Sequence, residues 1–429
     1  MKVVVLAAGT ARRMRNLYPD KPKGLYRLAG RELVYRTMAT LRNLGYDEFL
    51  IVTNPDYESA YREFVNKYGF NAEFVINRHP ERGNGYSLYL AGERIKGRFV
   101  LIMTDHIYED AFIREAVKKS GLIVDRVGRY IDKEEATKVR LDKDGNVVEI
   151  GKNLERFDAF DTGFFILDDS IFEIAKSLVK DRKTIELSDI VRLARAKTSE
   201  VSGYFWADAD TPEELKRLRW LLVKRAVKSS GDGFVSRHLN RRISTAITYL
   251  VIEHISTFFA TWIAFLSGLI AAVVAFYQPA LGGILYQISS ILDGIDGEIA
   301  RASLSTSNFG GWLDSLLDRY IDAAFLLALW HHSSGLPAWV LAVSVFGCAM
   351  VSYSTERFKA AYSKSAYELL KPLTYIPGKR DERVLFVMIM CLGGWINALY
   401  IVLALVCNLR VLLTALLVWH MEEKNKKAR

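Results

Sequence analysis

Four carboxylates at helical spacing, set inside sequence apolar enough to span a membrane, constrain this chain more than any other feature. Asp293-Gly-Ile-Asp296-Gly297-Glu-Ile-Ala300-Arg301 is followed after eight residues by Gly310-Gly-Trp-Leu-Asp314-Ser-Leu-Leu-Asp318. On a helix, Asp293, Asp296, Gly297 and Ala300 fall at i, i+3, i+4 and i+7, so two acids share one face with two small residues. Asp314 and Asp318, at i and i+4 beyond a Gly-marked bend, repeat the arrangement. Ionised carboxylates this close would repel one another, and near a bilayer they would be severely desolvated. They are tolerable facing a hydrated cavity and holding hard cations such as Mg²⁺ or Mn²⁺. The alternative is that they are solvated faces of two surface helices.

The 429 residues are long enough for two or more domains, and the two halves differ sharply. Residues 1–228 read as a charged domain. Beyond them, apolar runs follow one another: Thr257 to Tyr277, Ala280 to Ala302, Phe309 to Trp330, Pro337 to Arg357 and Val384 to His420. The first four have the length of membrane helices. The last is too long for one span, and Gly393-Gly394-Trp395-Ile396-Asn397 divides it into a short helix and a long one, so six spans are expected.

Loop charges orient those spans, because Lys and Arg gather on the cytoplasmic side. The turns near Pro279, His331 to Leu336 and Gly393 to Asn397 carry no Lys or Arg, whereas Lys359, Lys364, Lys371, Lys379, Arg380, Arg383 and the Lys- and Arg-rich C-terminus mark the other side. Both termini and the four acids are therefore expected in the cytoplasm, in a multi-pass protein of the cell membrane. The opening Met-Lys-Val-Val-Val-Leu lacks a signal-peptide pattern. Cys348, Cys391 and Cys407 lie in apolar runs without metal-ligand spacing and read as reduced packing residues. The formal charge of +9 suits anionic headgroups and phosphorylated substrates. No nucleic-acid motif is present, and the basic residues cluster beside spans, so no nucleic-acid partner is expected.

The acidic segment resembles the CDP-alcohol phosphotransferase signature, D-x-x-D-G-x-x-A-R, eight residues, G-x-x-x-D-x-x-x-D, and matches it without departure. The resemblance covers the second half of the chain. It implies that Asp293, Asp296, Asp314 and Asp318 hold two divalent metals over the diphosphate of a CDP-alcohol, and that Asp318 also serves as base. It implies too that Gly297 and Gly310 allow close approach of the nucleotide, and that Arg301 and Thr261 lie near it.

In the first half, the buried-strand pattern Val3 to Leu6 runs into Ala7-Ala8-Gly9-Thr10-Ala11-Arg12-Arg13-Met14, with Lys21-Pro22-Lys23 after it. Strand, small-residue loop and basic helix start form a phosphate cradle. Further strand-like runs at Glu48 to Thr53, Glu73 to Ile76 and Phe99 to Met103 alternate with helical stretches and predict a layered α/β sheet. Residues 1–225 resemble the nucleotidyltransferases that activate sugar or alcohol phosphates with an NTP, giving a Rossmann-like α/β domain followed by an all-α membrane domain. Their L-A-A-G-x-G-x-R-M loop matches at Leu6 to Met14, with Ala11 where the second Gly is usual. The resemblance assigns Gly9 and Thr10 to the nucleotide, Arg13 and Lys23 to the triphosphate, and Asn84 and Ser87 to the base. It makes Asp105 and Asp208 metal ligands and places Lys152 and Asp161 at the acceptor; Asp210-Thr211-Pro212 reads equally as a helix start. His79 and His106 read as surface or core histidines.

Pro212 to Lys228 reads as a charged helix and Ser229 to Gly233 as a flexible break. Residues 229–254 form the expected linker, whose stretch Phe234 to His254 interleaves basic and apolar positions. It fits a helix lying in the headgroup layer with its basic face on phosphates, or one packed on the soluble domain. The membrane domain is expected over residues 255–429.

A nucleotidyltransferase makes a CDP-alcohol and a CDP-alcohol phosphotransferase consumes one. Chains with this order of domains resemble bifunctional CTP:inositol-1-phosphate cytidylyltransferases and di-myo-inositol-phosphate-phosphate synthases, which implies CTP, inositol-1-phosphate and CDP-inositol as partners, and a homodimer. Two other readings stand beside this one: a phospholipid synthase using a lipid as donor or acceptor, and a soluble half retained only for binding or oligomerisation. Arg357 and Arg383, at the ends of apolar runs, are the candidate acceptor-phosphate residues. Arg410, inside the last span, calls for a ligand or an acidic partner.

Overall fold

The computed structural model describes residues 1–9, 21–228 and 233–427. Thr10, Ala11, Arg13 and the break at 229–232 thus lie outside the described residues. The chain forms two compact units, Met1–Arg219 and Trp220–Arg429.

The first unit is built on a mixed sheet. Its centre is four parallel strands, β1 (Val3–Leu6), β2 (Glu48–Thr53), β3 (Asn71–Ile76) and β4 (Phe99–Met103), in the order β4-β1-β2-β3. β1 is apolar and buried at every position because both faces of the sheet are covered. Between Met103 and the next sheet strand, the short β5 (His106–Tyr108) turns out of the sheet. β6 (Gly121–Asp125), β7 (Lys138–Leu141), β8 (Val147–Gly151), β9 (Ala159–Leu167) and β10 (Thr198–Glu200) complete the sheet. β9 joins it antiparallel to β4, and β11 (Trp206–Asp208) pairs antiparallel with β5, setting Asp208 opposite His106. The functional loops thus leave the carboxyl ends of β1 and β4, neighbouring strands in the sheet.

The second unit is helical: α1 (Arg241–Val251), α2 (Thr257–Tyr277), α3 (Pro279–Ala302), α4 (Asn308–Leu329), α5 (Ala338–Tyr362), α6 (Arg380–Leu392) and α7 (Ile396–Lys427). Among the described residues, three helices are long and apolar enough to cross a membrane: α2, α5 and α7. α3 and α4 carry the signature acids, and α6 has only 13 residues, short of the ~20 of a full span. The long apolar run does divide where glycines interrupt it, between Leu392 and Ile396. Small residues let the helices close: a Cβ on Gly282 would collide with the Ala275 backbone. Phe258, Ile270, Leu405, Leu412 and Trp419 stay exposed, as suits lipid-facing side chains. All three cysteines are free and buried.

The segment around α1 keeps Arg237, His238 and Arg242 exposed. Its inward face is polar, with Asn240, Ser244, Thr245 and Thr248 buried, while Phe234, Leu239, Ile243 and Leu250 are exposed. Hydroxyls turn inward because a buried carboxylate, Glu298 of α3, is there to receive them.

Candidate active sites

A cavity of about 330 Å³ opens beyond β1 and β4 and takes in Ala7, Ala8, Gly9, Lys23, Asn84 and Ser87. The start of the loop is held from below: Asn54 Nδ2 donates to the Ala8 carbonyl at 3.0 Å, and Ala7 N donates to Val52 O at 2.8 Å. Lys23 Nζ lies 2.9 Å from Asp105 Oδ2 and also pairs with Asp210. Burial alone would lower the Lys23 amine, but these two carboxylates outweigh it and raise the amine above its ordinary value, keeping it an ammonium. Asp105 in turn receives His106 Nδ1 at 2.7 Å. Burial works against its charge, yet Lys23 and His106 hold its carboxyl well below the usual range. His106, partly buried and lining a neighbouring cavity, stacks near Trp206 and Tyr108; burial opposes its proton, but the Asp105 charge raises it to about 9.

Asn84 and Ser87 both line this cavity, and both are already engaged. Asn84 Oδ1 accepts from Leu187 N at 2.6 Å, and Ser87 Oγ accepts from Asn77 Nδ2 at 2.9 Å. Asp210, read from sequence only as part of a metal-and-cap segment, proves to be the second carboxylate on Lys23. Thr211 still caps the following helix by accepting from Glu214 N at 3.2 Å.

A second cavity of about 450 Å³ shares Asn84, Asp105 and Asp210 with the first and adds Lys152, Asp161 and Asp208. Lys152 Nζ faces Glu135 at 3.6 Å. Asp161 Oδ1 accepts from Gly163 N at 2.8 Å, and Gly163, with φ +68°, leaves no room for a side chain against the His106 ring. Burial pushes the Asp161 carboxyl up to about 6, with the Gly163 N–H and the His106 charge opposing. The two cavities therefore meet at a shared set of acids, Asp105 and Asp210.

In the second unit, a cavity of about 620 Å³ brings together all four signature acids. Oxygens of Asp293, Asp314 and Asp318 lie within 4.8 Å of one another. An all-carboxylate set this close fits a hard divalent cation. Asp296 is oriented by Thr261, whose hydroxyl donates at 2.6 Å. Gly297 and Arg301 line the cavity, and a Cβ on Gly297 would sit 3.0 Å from the Arg301 guanidinium. Gly310 serves the start of α4, where its N–H donates to the capping Ser307 hydroxyl at 2.9 Å.

The basic residues are distributed differently from the expectation. Arg380 Nη1 lies 2.8 Å from Asp318 and 3.1 Å from Asp293, and its Nε lies 3.2 Å from Asp322. Arg383 is buried against Asp322 at 3.3 Å and the Gly378 carbonyl at 3.0 Å. Arg357 is exposed at the end of α5, while Lys359, Lys364 and Lys379 line the cavity. Among the described residues, no acid pairs with Arg410. Its guanidinium donates to the carbonyls of Ile376, Pro377 and Leu373 and to Tyr367 Oη, holding the segment that leads to α6. Asp322, four residues beyond Asp318 on the same helix face, was the one available sequence hint of this network.

Residues 3–122 match the MobA-like NTP transferase domain family and residues 243–416 match the CDP-alcohol phosphatidyltransferase family. The chain is 51% identical over 419 residues to the bifunctional IPC transferase and DIPP synthase of Aquifex aeolicus, covering 97% of each chain. It is 48% identical over 419 residues to the protein of the same description from Thermococcus kodakarensis, covering 96% of each. Among solved structures, the inositol-1-phosphate CTP transferase from T. maritima aligns with 50% of this chain and 90% of its own, at 27% identity and a TM-score of 0.46.

Proposed function

Because this chain belongs to the family of bifunctional IPC transferases and DIPP synthases, we propose that it makes CDP-inositol from CTP and inositol-1-phosphate and then joins CDP-inositol to a second inositol-1-phosphate. The observation that carries this reading is the presence on one chain of two separate charge-lined cavities, the first with Lys23 among acids and the second with four signature carboxylates.

At the first site, inositol-1-phosphate oxygen attacks the α-phosphorus of CTP and pyrophosphate leaves. Lys23, held as an ammonium, offsets charge on the phosphate oxygens as the transition state forms. Asp105 and Asp208 are the proposed metal ligands there, with Arg13 beside the triphosphate; Asn84 and Ser87 border the base and Asp161 and Lys152 the acceptor. At the second site, Asp293, Asp296, Asp314 and Asp318 would hold divalent cations, Mg²⁺ or Mn²⁺, which supply charge neutralisation at the diphosphate. Asp318 takes the proton from the attacking hydroxyl, the bond to the β-phosphorus forms, and CMP leaves. Thr261 fixes the Asp296 carboxylate, and Lys359, Lys364 and Lys379 give the cavity edge a positive field for the phosphorylated acceptor. Both steps are in-line substitutions in which positioning does most of the work. The helical unit is read as a multi-pass membrane domain with both termini in the cytoplasm.

The deciding experiment supplies CTP and labelled inositol-1-phosphate to the purified full chain in detergent, without lipid substrate. Formation of labelled CDP-inositol followed by a water-soluble phosphodiester supports the reading. Product that appears only after a lipid alcohol or lipid CDP-donor is added would favour a phospholipid synthase.

A further inference from the structure

Glu298 lies within the signature stretch at a position the signature leaves open, and its side chain is fully buried. A carboxyl group buried there requires full hydrogen bonding. It has it: Ser244 Oγ donates to Oε1 at 2.6 Å, Thr248 Oγ1 donates to Oε2 at 2.7 Å, and Thr245 Oγ1 reaches Oε1 at 3.4 Å. Arg241 Nη1 completes the set at 3.3 Å. All four partners come from α1, so one side chain of α3 latches the whole of that helix to the helix carrying Asp293 and Asp296.

The latch has a consequence inside the cavity. Arg241 Nη1 also donates to the Gly294 carbonyl at 3.2 Å, and a Cβ on Gly294 would come within 2.7 Å of that nitrogen. The guanidinium is therefore laid on the α3 backbone, between Asp293 and Asp296 in sequence, and it lines the cavity together with Gly297 and Arg301. α1 and α3 contribute this group of cations, whereas Lys359, Lys364 and Lys379 come from α5, the turn after it and the segment entering α6.

We propose that Glu298 is a positioning residue that holds Arg241 on the α3 backbone, where its guanidinium binds the diphosphate of the CDP-linked donor. The proposal rests on the function given above for the second site. A fixed guanidinium offers oriented charge-assisted donors to phosphate oxygens without first losing side-chain freedom. The hydroxyls of Ser244 and Thr248 share the solvation of Glu298, so the carboxylate anchors Arg241 without depending on it alone.

The test uses the full chain in detergent with Mg²⁺ and two readouts: calorimetric binding of CDP, and KM and kcat for supplied CDP-inositol. Arg241→Gln and Glu298→Gln are each expected to weaken CDP and raise the CDP-inositol KM by about tenfold, with the inositol-1-phosphate KM unchanged. Their combination should be little worse than either alone, since both remove one positioned group. Arg241→Lys should recover only part of the loss. If Glu298→Gln fails to fold, Thr248→Val loosens the same carboxylate and should give a smaller loss of the same kind. Unchanged CDP affinity in Arg241→Gln, additive losses in the pair, or a fall in kcat alone would overturn the proposal. Because CDP binding is read without turnover, a wrong assignment of the inositol substrates would show as absent product while the CDP losses persisted.

Discussion

Arg380 Nη1 lies 2.8 Å from Oδ1 of Asp318, the carboxylate proposed as the base of the transfer step. The same guanidinium reaches Asp293 and Asp322, so it neutralises acids on two helices at once. Asp322 is also paired with Arg383, so without a cation it is Asp318 and Asp293 that depend most on Arg380 for charge balance, since uncompensated charges in a buried site are strongly unfavourable. Arg380→Gln should lower stability by about 3 kcal/mol in metal-free buffer. Saturating Mg²⁺ should narrow the gap, because the cation then supplies the missing charge. Thermal unfolding of the detergent-solubilised chain with EDTA and with Mg²⁺ checks this; an equal deficit in both would show that Arg380 acts only as packing.

Asp318 itself distinguishes ligand from base. Asp318→Asn keeps an oxygen that can face a cation and removes the proton acceptor. Turnover of CDP-inositol should fall by about 10³-fold, while CDP binding with Mg²⁺ weakens by no more than about tenfold. Near-normal turnover would move the base to another group.

The acids of the membrane site were legible because their spacing is local: Asp293, Asp296, Asp314 and Asp318 lie on two consecutive helices at helical intervals. The sheet strands were legible for a similar reason, β2 and β4 having the bounds that their apolar runs imply. What escaped depends on contacts distant in sequence. Arg380 meets Asp293 across 87 positions, so nothing near either residue announces the pair. Arg410 finds backbone carbonyls, which every residue carries and no sequence pattern marks. The inward polar face of α1 was not legible either, because its hydroxyls answer one buried carboxylate, Glu298, that lies far along the chain.

Lys23 separates the two activities. Its amine is bound to Asp105 and Asp210, all within the first unit, and the signature acids belong to the second. Lys23→Ala should reduce CDP-inositol formation from CTP by about 10²- to 10³-fold and leave turnover of supplied CDP-inositol unchanged. Loss of both activities in a folded variant would contradict independent sites.

Asp161 gives the first unit a distinct pH signature. Burial raises its carboxyl to about 6, above the ~3.9 of an unfolded aspartate. The neutral form is thus favoured by folding, so its stability contribution is complete below about pH 4 and is lost as pH rises through about 6. Asp161→Asn keeps the oxygen that accepts from Gly163 N and carries no charge at any pH. The variant's unfolding temperature relative to the parent should therefore climb between pH 4 and 6 and level off above that. Calorimetric scans of the full chain across pH 4 to 8 test the sign. A difference that is flat with pH, or that falls over this interval, would mean that the Asp161 environment does not favour the neutral acid.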